Sequence, residues 1–126
     1  MNLLLVGFGG AFGAICRYLL GVQLGRRLGT AWPYGTLAAN VIGGLLMGVL
    51  VGVLAYRGGA DQEKWRLLLG VGVLGGFTTF SSFSLEAALM IERRTYFAAA
   101  GYSLISVVLS VTALFAGLIV VRRLLA

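Results

Sequence analysis

Four long apolar segments restrict this chain to one kind of environment. They cover residues 2–24, 33–56, 65–91 and 96–121 of a 126-residue chain in which only 11% of the residues are charged. Each segment is near or above the ~20 residues that a helix needs to cross the hydrocarbon core of a bilayer. We therefore predict an all-α membrane protein in which residues 1–126 form a single domain of four transmembrane helices.

The first apolar segment could also be taken for a secretory signal. It has no basic leader, carries Arg17 within it and lacks a clear cleavage site before a soluble body. We interpret it as a retained helix. Arg17 lies too deep to be a simple flanking charge, and its long stem either snorkels toward the interface or turns the charge inward.

Residue types that are rare in this chain exclude several classes of site. There is no His, and Cys16 is the single cysteine, so an intrachain disulfide and a His–Cys metal centre are excluded. We interpret Cys16 as a small packing residue. The net charge of +6 would suggest nucleic acid in a soluble protein. Here the basic residues lie in short loops and at the C-terminus, so we expect a lipid bilayer and no nucleic acid as partner.

The basic residues are divided almost evenly between the two sides of the predicted membrane helices. One side has Arg57, Lys64, Arg66, Arg122 and Arg123, and the other has Arg26, Arg27, Arg93 and Arg94. Orientation in the membrane follows an excess of Lys and Arg in cytoplasmic loops, and five against four gives almost no instruction. We hypothesise that the chain inserts in both orientations and assembles as an antiparallel, dual-topology homodimer.

Glycine spacing favours close helix packing. The chain has 20 glycines, and many of them recur four residues apart, as in Gly9 with Gly13, Gly44 with Gly48 and Gly52, and Gly72 with Gly76. Small residues at this spacing let helix backbones approach closely in lipid. We expect most of these glycines to serve packing alone. Four helices are also few for a lined pathway, which again favours a dimer.

The third apolar segment contains a polar stretch, GGFTTFSSFSLE, at residues 75–86. Paired glycines and β-branched threonines are poor helix formers, and the serines after them supply hydroxyls that can cap a restarted helix. We therefore predict a helix broken at the bilayer midplane, around Thr78 and Thr79. Such a break leaves free carbonyls that favour a cation such as Na⁺ and free amides that favour an anion. If two chains crossed antiparallel at this point, one ion would be shared on their axis.

The same stretch interleaves aromatic rings with hydroxyls. Phe80 and Phe83 fall on adjacent parts of one helix face, and Ser81 and Ser84 alternate with them. The ordinary role of phenylalanines at this spacing is core packing. Their ring edges also carry positive quadrupole density, so a small anion could contact edges and hydroxyls together.

Other polar residues within the spans are few. Asn40 should face protein or water, either in an interhelical hydrogen bond or along a polar path. Glu86 is the only carboxylate within a span and lies two turns beyond the predicted break. In the last span Tyr102, Ser106 and Ser110 follow at i+4 steps and form a hydroxyl stripe, although each serine could satisfy itself on its own helix. Spacing alone does not single out one anion.

Three stretches resemble the fluoride-channel family called Fluc or CrcB. They are GGAFGAICRY at 9–18, GTLAANVIG at 35–43 and GGFTTFSSFS at 75–84 with Glu86 after it. The third motif is highly specific, and the resemblance covers essentially the whole chain. It implies an antiparallel dual-topology homodimer with two pores in the bacterial inner membrane. The expected activity is passive export of F⁻, driven by the negative-inside voltage after hydrogen fluoride has entered and dissociated.

The resemblance also implies roles for individual residues. The fluoride pore would be lined by Asn40, Phe80, Ser81, Phe83, Ser84, Glu86, Tyr102, Ser106, Ser110 and Thr112. Arg17 would lie near the pore vestibule, and the backbone carbonyls of Gly75 and Thr78 would hold a structural Na⁺ at the dimer interface.

Two other functions fit parts of the sequence. A small dual-topology, proton-coupled multidrug exporter shares the four spans, but it should carry an acid deep in its first span, where this chain has Arg17. A packing subunit without transport activity explains the glycines but leaves the broken third span and the aligned hydroxyls without a purpose. No feature of the sequence indicates an enzyme.

Overall fold

The computed structural model is all-helical in the part of the chain that it describes, residues 1–57 and 59–125. The elements are α1 (Asn2–Leu28), α2 (Tyr34–Arg57), α3 (Gln62–Trp65), a π-helical segment (Arg66–Leu74), α4 (Gly75–Phe77), α5 (Phe80–Glu92) and α6 (Tyr96–Leu125). Within these described ranges four helical stretches are long and apolar enough to cross a membrane: α1, α2, the stretch Gln62–Glu92 and α6. The prediction of four apolar spans is confirmed.

The helices extend beyond the predicted segments at their basic ends. α1 continues to Leu28 and α6 to Leu125, so that Arg26 and Arg27, and likewise Arg122 and Arg123, lie in last helical turns. The apolar pattern marks only the part of a helix that lies in hydrocarbon. Basic side chains at a C-terminus favour continued helix because they interact with the partial negative charge there.

Short connections hold the helix ends close together. Gly29 follows α1 with φ 85°, a left-handed conformation that suits glycine, and its N–H donates to the Gly25 carbonyl. Between α5 and α6, Arg94 also has a positive φ of 62°. The N–H and hydroxyl of Thr95 both donate to the Met90 carbonyl, at 2.9 and 2.8 Å. These turns make α1 and α2, and α5 and α6, antiparallel neighbours.

Glycines make the closest contacts between helices, as their spacing predicts. A Cβ added at Gly9 would lie 2.6 Å from the Leu68 carbonyl oxygen, and one at Gly44 would lie 2.6 Å from the Ser110 carbonyl oxygen. Since real Cβ atoms do not approach carbonyl oxygens so closely, α1 packs on the π-helical segment, and α2 on α6, through backbone contact.

One small cluster of buried side chains lies between α5 and α6. It consists of Met90, Ala99 and the fully buried Tyr102, with Trp32 and Phe83 packed against it. Many other large apolar side chains are exposed, for example Leu3 at 88% and Phe97 at 96%. An apolar outer surface is what a bilayer requires. The cluster fixes α5 against α6 and against the connection before α2.

Candidate functional site

The third span is interrupted at two residues near its middle. Thr78 has φ −83° and ψ 158°, and Thr79 has φ −152° and ψ 123°, so both are extended, while α4 ends at Phe77 and α5 begins at Phe80. The predicted break is therefore confirmed at Thr78 and Thr79. The Thr78 hydroxyl and N–H both return to the Leu74 carbonyl at 2.9 Å and close the first half of the span.

The helix restarts with a different cap from the one predicted. Thr79 is the N-cap residue of α5, and its hydroxyl accepts a hydrogen bond of 3.1 Å from the Ser82 N–H. The serines that follow are inside the helix, so the expectation that they cap it was wrong. A cap residue must itself be extended, and the break places Thr79 in that conformation.

Asn40 on α2 pairs with the main chain of the break. Its Nδ2 donates to the Thr79 carbonyl oxygen at 3.0 Å, and its Oδ1 accepts from the Thr79 N–H at 2.8 Å. Both polar main-chain groups of an extended residue are thus satisfied by one carboxamide. Of the two roles that the sequence left open for Asn40, the interhelical hydrogen bond is present.

A cavity of about 410 Å³ lies beside the break, between α2, α5 and α6, and we call it the break cavity. Its polar lining comes from Asn40, Thr78, Thr79, Ser106 and Ser110, and its aromatic lining from Phe80 and Phe83. Oγ of Ser106 and Oγ of Ser110 are buried and have no hydrogen-bond partner among the described residues. Buried hydroxyls normally find partners, so this pair marks a place where a polar species can bind.

Glu86, in the middle of α5, joins three helices through hydrogen bonds. The Thr36 hydroxyl donates to Oε1 at 2.7 Å, and the Tyr102 hydroxyl donates to Oε2 at 2.8 Å. Glu86 and Thr36 also line a second cavity of about 340 Å³, the end cavity, together with Trp32, Tyr34 and Arg93. A carboxylate whose two oxygens both accept hydrogen bonds can be retained within a helical bundle.

A row of aromatic rings connects the two cavities. Ring centroids are 5.4 Å apart for Phe80 and Phe83, 5.2 Å for Phe83 and Tyr102, and 5.2 Å for Tyr102 and Trp32. The Trp32–Tyr102 pair meets edge to face at 80°. Such tilted pairs are favourable beyond their buried area because positive ring edges meet negative faces. The row begins at the break cavity and ends at the lining of the end cavity.

Arg17 lies next to the end cavity. Together with Tyr18, Gly21, Gly35 and Thr36 it lines a smaller depression of about 250 Å³, and its Nε is buried without a hydrogen-bond partner among the described residues. Thr36 lines both this depression and the end cavity. Arg17 therefore lies near Thr36, whose hydroxyl donates to Glu86.

Several of the predicted pore residues lie outside the two cavities in the single chain. Ser81, Ser84 and Thr112 are exposed, and the Ser81 hydroxyl is 3.2 Å from the Thr79 hydroxyl. Thr112 follows Ser110 by two residues, or about 200° around the helix, so it cannot share the face of the hydroxyl stripe. Phe80 is 78% exposed although it lines the break cavity. The roles given to these residues by resemblance stay predictions.

Thr36 and Trp32 are site residues that sequence reasoning missed. Thr36 precedes Asn40 by four residues, a spacing that places both on one face of α2. That spacing was the available signal. Trp32 lies before α2, and its ring packs against Tyr102.

The fold and the site define a class of protein. Four apolar helices, one of them broken beside a cavity lined by two hydroxyls without partners among the described residues, make this a multi-pass helical membrane protein. Residues 4–118 match the model of the family described as CrcB-like protein, Camphor Resistance (CrcB). The chain belongs to this family.

Similar proteins cover nearly the whole chain. A protein of Phenylobacterium zucineum named fluoride-specific ion channel FluC is 70% identical over 124 residues, which is 98% of either chain. A FluC of Caulobacter sp. strain K31 is 63% identical over 97% of this chain and 95% of its own. A protein of Nitrobacter hamburgensis named fluoride-specific ion channel FluC 2 is 51% identical over 98% of this chain and 99% of its own.

The Tyr102–Glu86 hydrogen bond should contribute measurably to stability. Tyr102→Phe keeps the buried ring but leaves Oε2 of Glu86 without its donor, and we expect a loss of about 1–3 kcal/mol in the free energy of unfolding. Tyr96→Phe in the same helix is the matched control, because Tyr96 is 59% exposed. Unfolding of both variants in detergent would be measured against the unchanged chain. Equal stability of the two variants would contradict the role of the Tyr102 hydroxyl.

Proposed function

We propose that this protein is a passive, fluoride-selective ion channel that exports F⁻ from the bacterial cytoplasm. The observation that carries the proposal is the break cavity, where the buried hydroxyls of Ser106 and Ser110 have no partner in residues 1–57 and 59–125 and lie beside the rings of Phe80 and Phe83. Membership of the CrcB family supports it, as do relatives named fluoride-specific ion channels. These relatives are ion channels by name, and we expect no enzymatic activity.

The chemistry of the cavity suits a small anion. Hydroxyl groups donate hydrogen bonds, and aromatic ring edges present positive density without a fixed charge. A site without fixed positive charge can bind an anion without retaining it too long, which conduction requires. Fluoride is compact and a strong hydrogen-bond acceptor. We propose that it moves along the row of rings from Phe80 to Tyr102, with Ser106 and Ser110 as donors on one side.

We propose that two chains assemble as an antiparallel, dual-topology homodimer in the bacterial inner membrane. Support comes from polar groups on the outside of the single chain: Ser81, Ser84 and Thr112 are exposed at positions within the spans. Polar groups in that position are costly against lipid, and a second copy would cover them. The almost even division of basic residues supports insertion in both orientations.

We propose that a structural Na⁺ lies at the dimer interface, held by the backbone carbonyls of Gly75 and Thr78. The fit rests on the break: Thr79, whose N–H would close a helical turn on the Gly75 carbonyl, gives that N–H to Asn40 instead. Gly75 is also exposed on the surface of the single chain. In residues 1–57 and 59–125 no cluster of His, Cys, Asp and Glu could hold a metal ion, so carbonyl oxygen is the donor set at this place. The ion would neutralise carbonyls where two breaks meet.

The proton-coupled exporter is less well supported. Coupling to protons needs a carboxylate that is free to exchange them near the middle of the membrane. Glu86 accepts hydrogen bonds on both oxygens and lies in the middle of α5, two turns beyond the break and beside the end cavity. A passive channel needs no such group, because the membrane voltage alone drives an anion outward.

Fluoride transport is tested directly by efflux from liposomes. Vesicles loaded with KF or KCl and containing the purified protein would be diluted into a low-halide buffer, with valinomycin supplying the K⁺ counter-current. We expect fluoride to leave rapidly and chloride to stay inside, because the cavity suits a small and strongly hydrogen-bonding anion. Protein-free vesicles are the control. Fluoride release that is absent or no faster than chloride release would overturn the proposed function.

The ring edges can be tested separately from the fold. Phe80→Ile and Phe83→Ile keep apolar bulk but remove the aromatic edge, and we expect a lower fluoride efflux rate while the dimer stays intact on size exclusion. Phe97→Ile is the control, because Phe97 is 96% exposed and lies outside both cavities. If the Phe80 and Phe83 variants conduct like the control, these rings serve packing only.

Dual topology predicts both locations for the C-terminus. Fusions to a reporter active only in the cytoplasm and to one active only outside should both give signal. Replacing Arg26 and Arg27 by alanine would change the basic residues from five against four to five against two, and we expect the cytoplasmic signal to dominate in that variant. An unchanged chain that reports one orientation only would contradict the antiparallel dimer.

A further inference from the structure

We infer that Asn40 is the positioning residue of the break: its carboxamide holds Thr79 extended and thereby keeps the Gly75 carbonyl free for a cation. This inference deepens the proposed function and rests on it for the identity of the cation. It begins with two hydrogen bonds, Nδ2 to the Thr79 carbonyl at 3.0 Å and the Thr79 N–H to Oδ1 at 2.8 Å. The second of them replaces the partner that a continuous helix would have supplied to the Thr79 N–H, and the first is an additional bond to a carbonyl that, at an N-cap, already accepts within α5.

α2 is shaped to receive the break. Gly43 follows Asn40 by three residues and is buried, and a Cβ added there would collide with the Thr78 side chain. Ala39, beside Asn40, is completely buried. One face of α2 therefore offers an amide for Thr79 and an empty position for Thr78. The extended residues Thr79 and Thr78 thus lie against Asn40 and Gly43, which are about one turn apart on α2.

The chemistry at this position is specific to an amide. The break leaves the Thr79 N–H without a helix partner, and the Thr79 carbonyl has a second lone pair beside the one used within α5; a carboxamide carries an acceptor and a donor on neighbouring atoms for these two groups. A carboxylate could accept from the Thr79 N–H but would face the carbonyl with a second acceptor. An apolar side chain would leave the Thr79 N–H without a partner.

The consequence reaches the cation through the hydrogen-bond pattern. In a continuous α-helix the Thr79 N–H would donate to the Gly75 carbonyl, four residues earlier. The structure gives this N–H to Asn40, and the Gly75 carbonyl keeps its lone pairs. Asn40 thus acts on the cation site without touching it. Asn40 also lines the break cavity, and its second Nδ2–H is free to donate a hydrogen bond to an anion there.

The two uses of Asn40 can be separated by hydrogen exchange. Deuterium uptake of the Thr79 amide would be measured on the purified dimer in NaCl and in N-methyl-D-glucamine chloride, after prolonged dialysis to remove tightly held Na⁺. For the unchanged chain we expect slow uptake that slows further with NaCl. For Asn40→Ala we expect uptake faster by roughly tenfold or more, as loss of about 1.4 kcal/mol implies, and a higher NaCl concentration for half-maximal protection.

Asn40→Asp supplies the discriminating variant. It is nearly the same size and keeps the oxygen that accepts from Thr79, so the Thr79 amide should exchange more slowly than in Asn40→Ala. Its negative charge in the break cavity should nevertheless abolish fluoride efflux. Protection that is retained while flux is lost cannot come from an anion-binding role alone. Because the substitution is nearly isosteric, it also keeps the test open if Asn40→Ala fails to fold.

Ser110→Ala is the matched control. Ser110 lines the same cavity and makes no hydrogen bond to the break among the described residues. We expect altered fluoride efflux with unchanged exchange at Thr79. The inference is overturned if Asn40→Ala leaves exchange at Thr79 and its NaCl dependence as in the unchanged chain. The proposed function fails by a different result, namely that the unchanged chain conducts no fluoride. Faster exchange at Thr79 in Asn40→Ala would then still support the role of Asn40 in the break.

Discussion

The pair of hydrogen bonds between the Asn40 carboxamide and the Thr79 main chain makes the rest of the site possible. In lipid, a main-chain group without a partner is costly, so a membrane helix can be interrupted only where the protein supplies replacements. Here the Asn40 side chain on α2 supplies the partner of the Thr79 N–H and adds a hydrogen bond to the Thr79 carbonyl. The extended residues then give α5 its own N-terminus, with Thr79 as cap, and open the break cavity beside Phe80.

The four spans and the break in the third could be predicted from local sequence. The spans follow from apolar segment length, and the break follows from glycines and threonines that form helix poorly at the centre of the third span. The cap was assigned to the serines because their hydroxyls are equally able to accept. The structure uses Thr79 because a cap must be extended, and which residue is extended depends on its partner on α2.

Pairings between distant parts of the chain could not be read from the sequence. Asn40 and Thr79 are 39 residues apart, and Thr36 and Glu86 are 50 apart. Composition shows that each of these side chains needs a partner in the membrane, but not which one. The resemblance of three motifs to a known family identified most of the candidate pore residues. It did not show that Asn40 is hydrogen-bonded to the Thr79 main chain, that Thr36 donates to Glu86 or that Trp32 packs on Tyr102.

The break also gives the two halves of the third span different packing partners. The first half of the third span packs on α1, where Gly9 and Gly13 meet the backbone of Leu68 and Val73. The second half, α5, is joined to α2 and α6 through Glu86. A description of four continuous helices therefore does not show where the third span changes its packing partners. The two halves of the third span have different main neighbours: α1 for the half before Thr78 and Thr79, and α6 with α2 for the half after them.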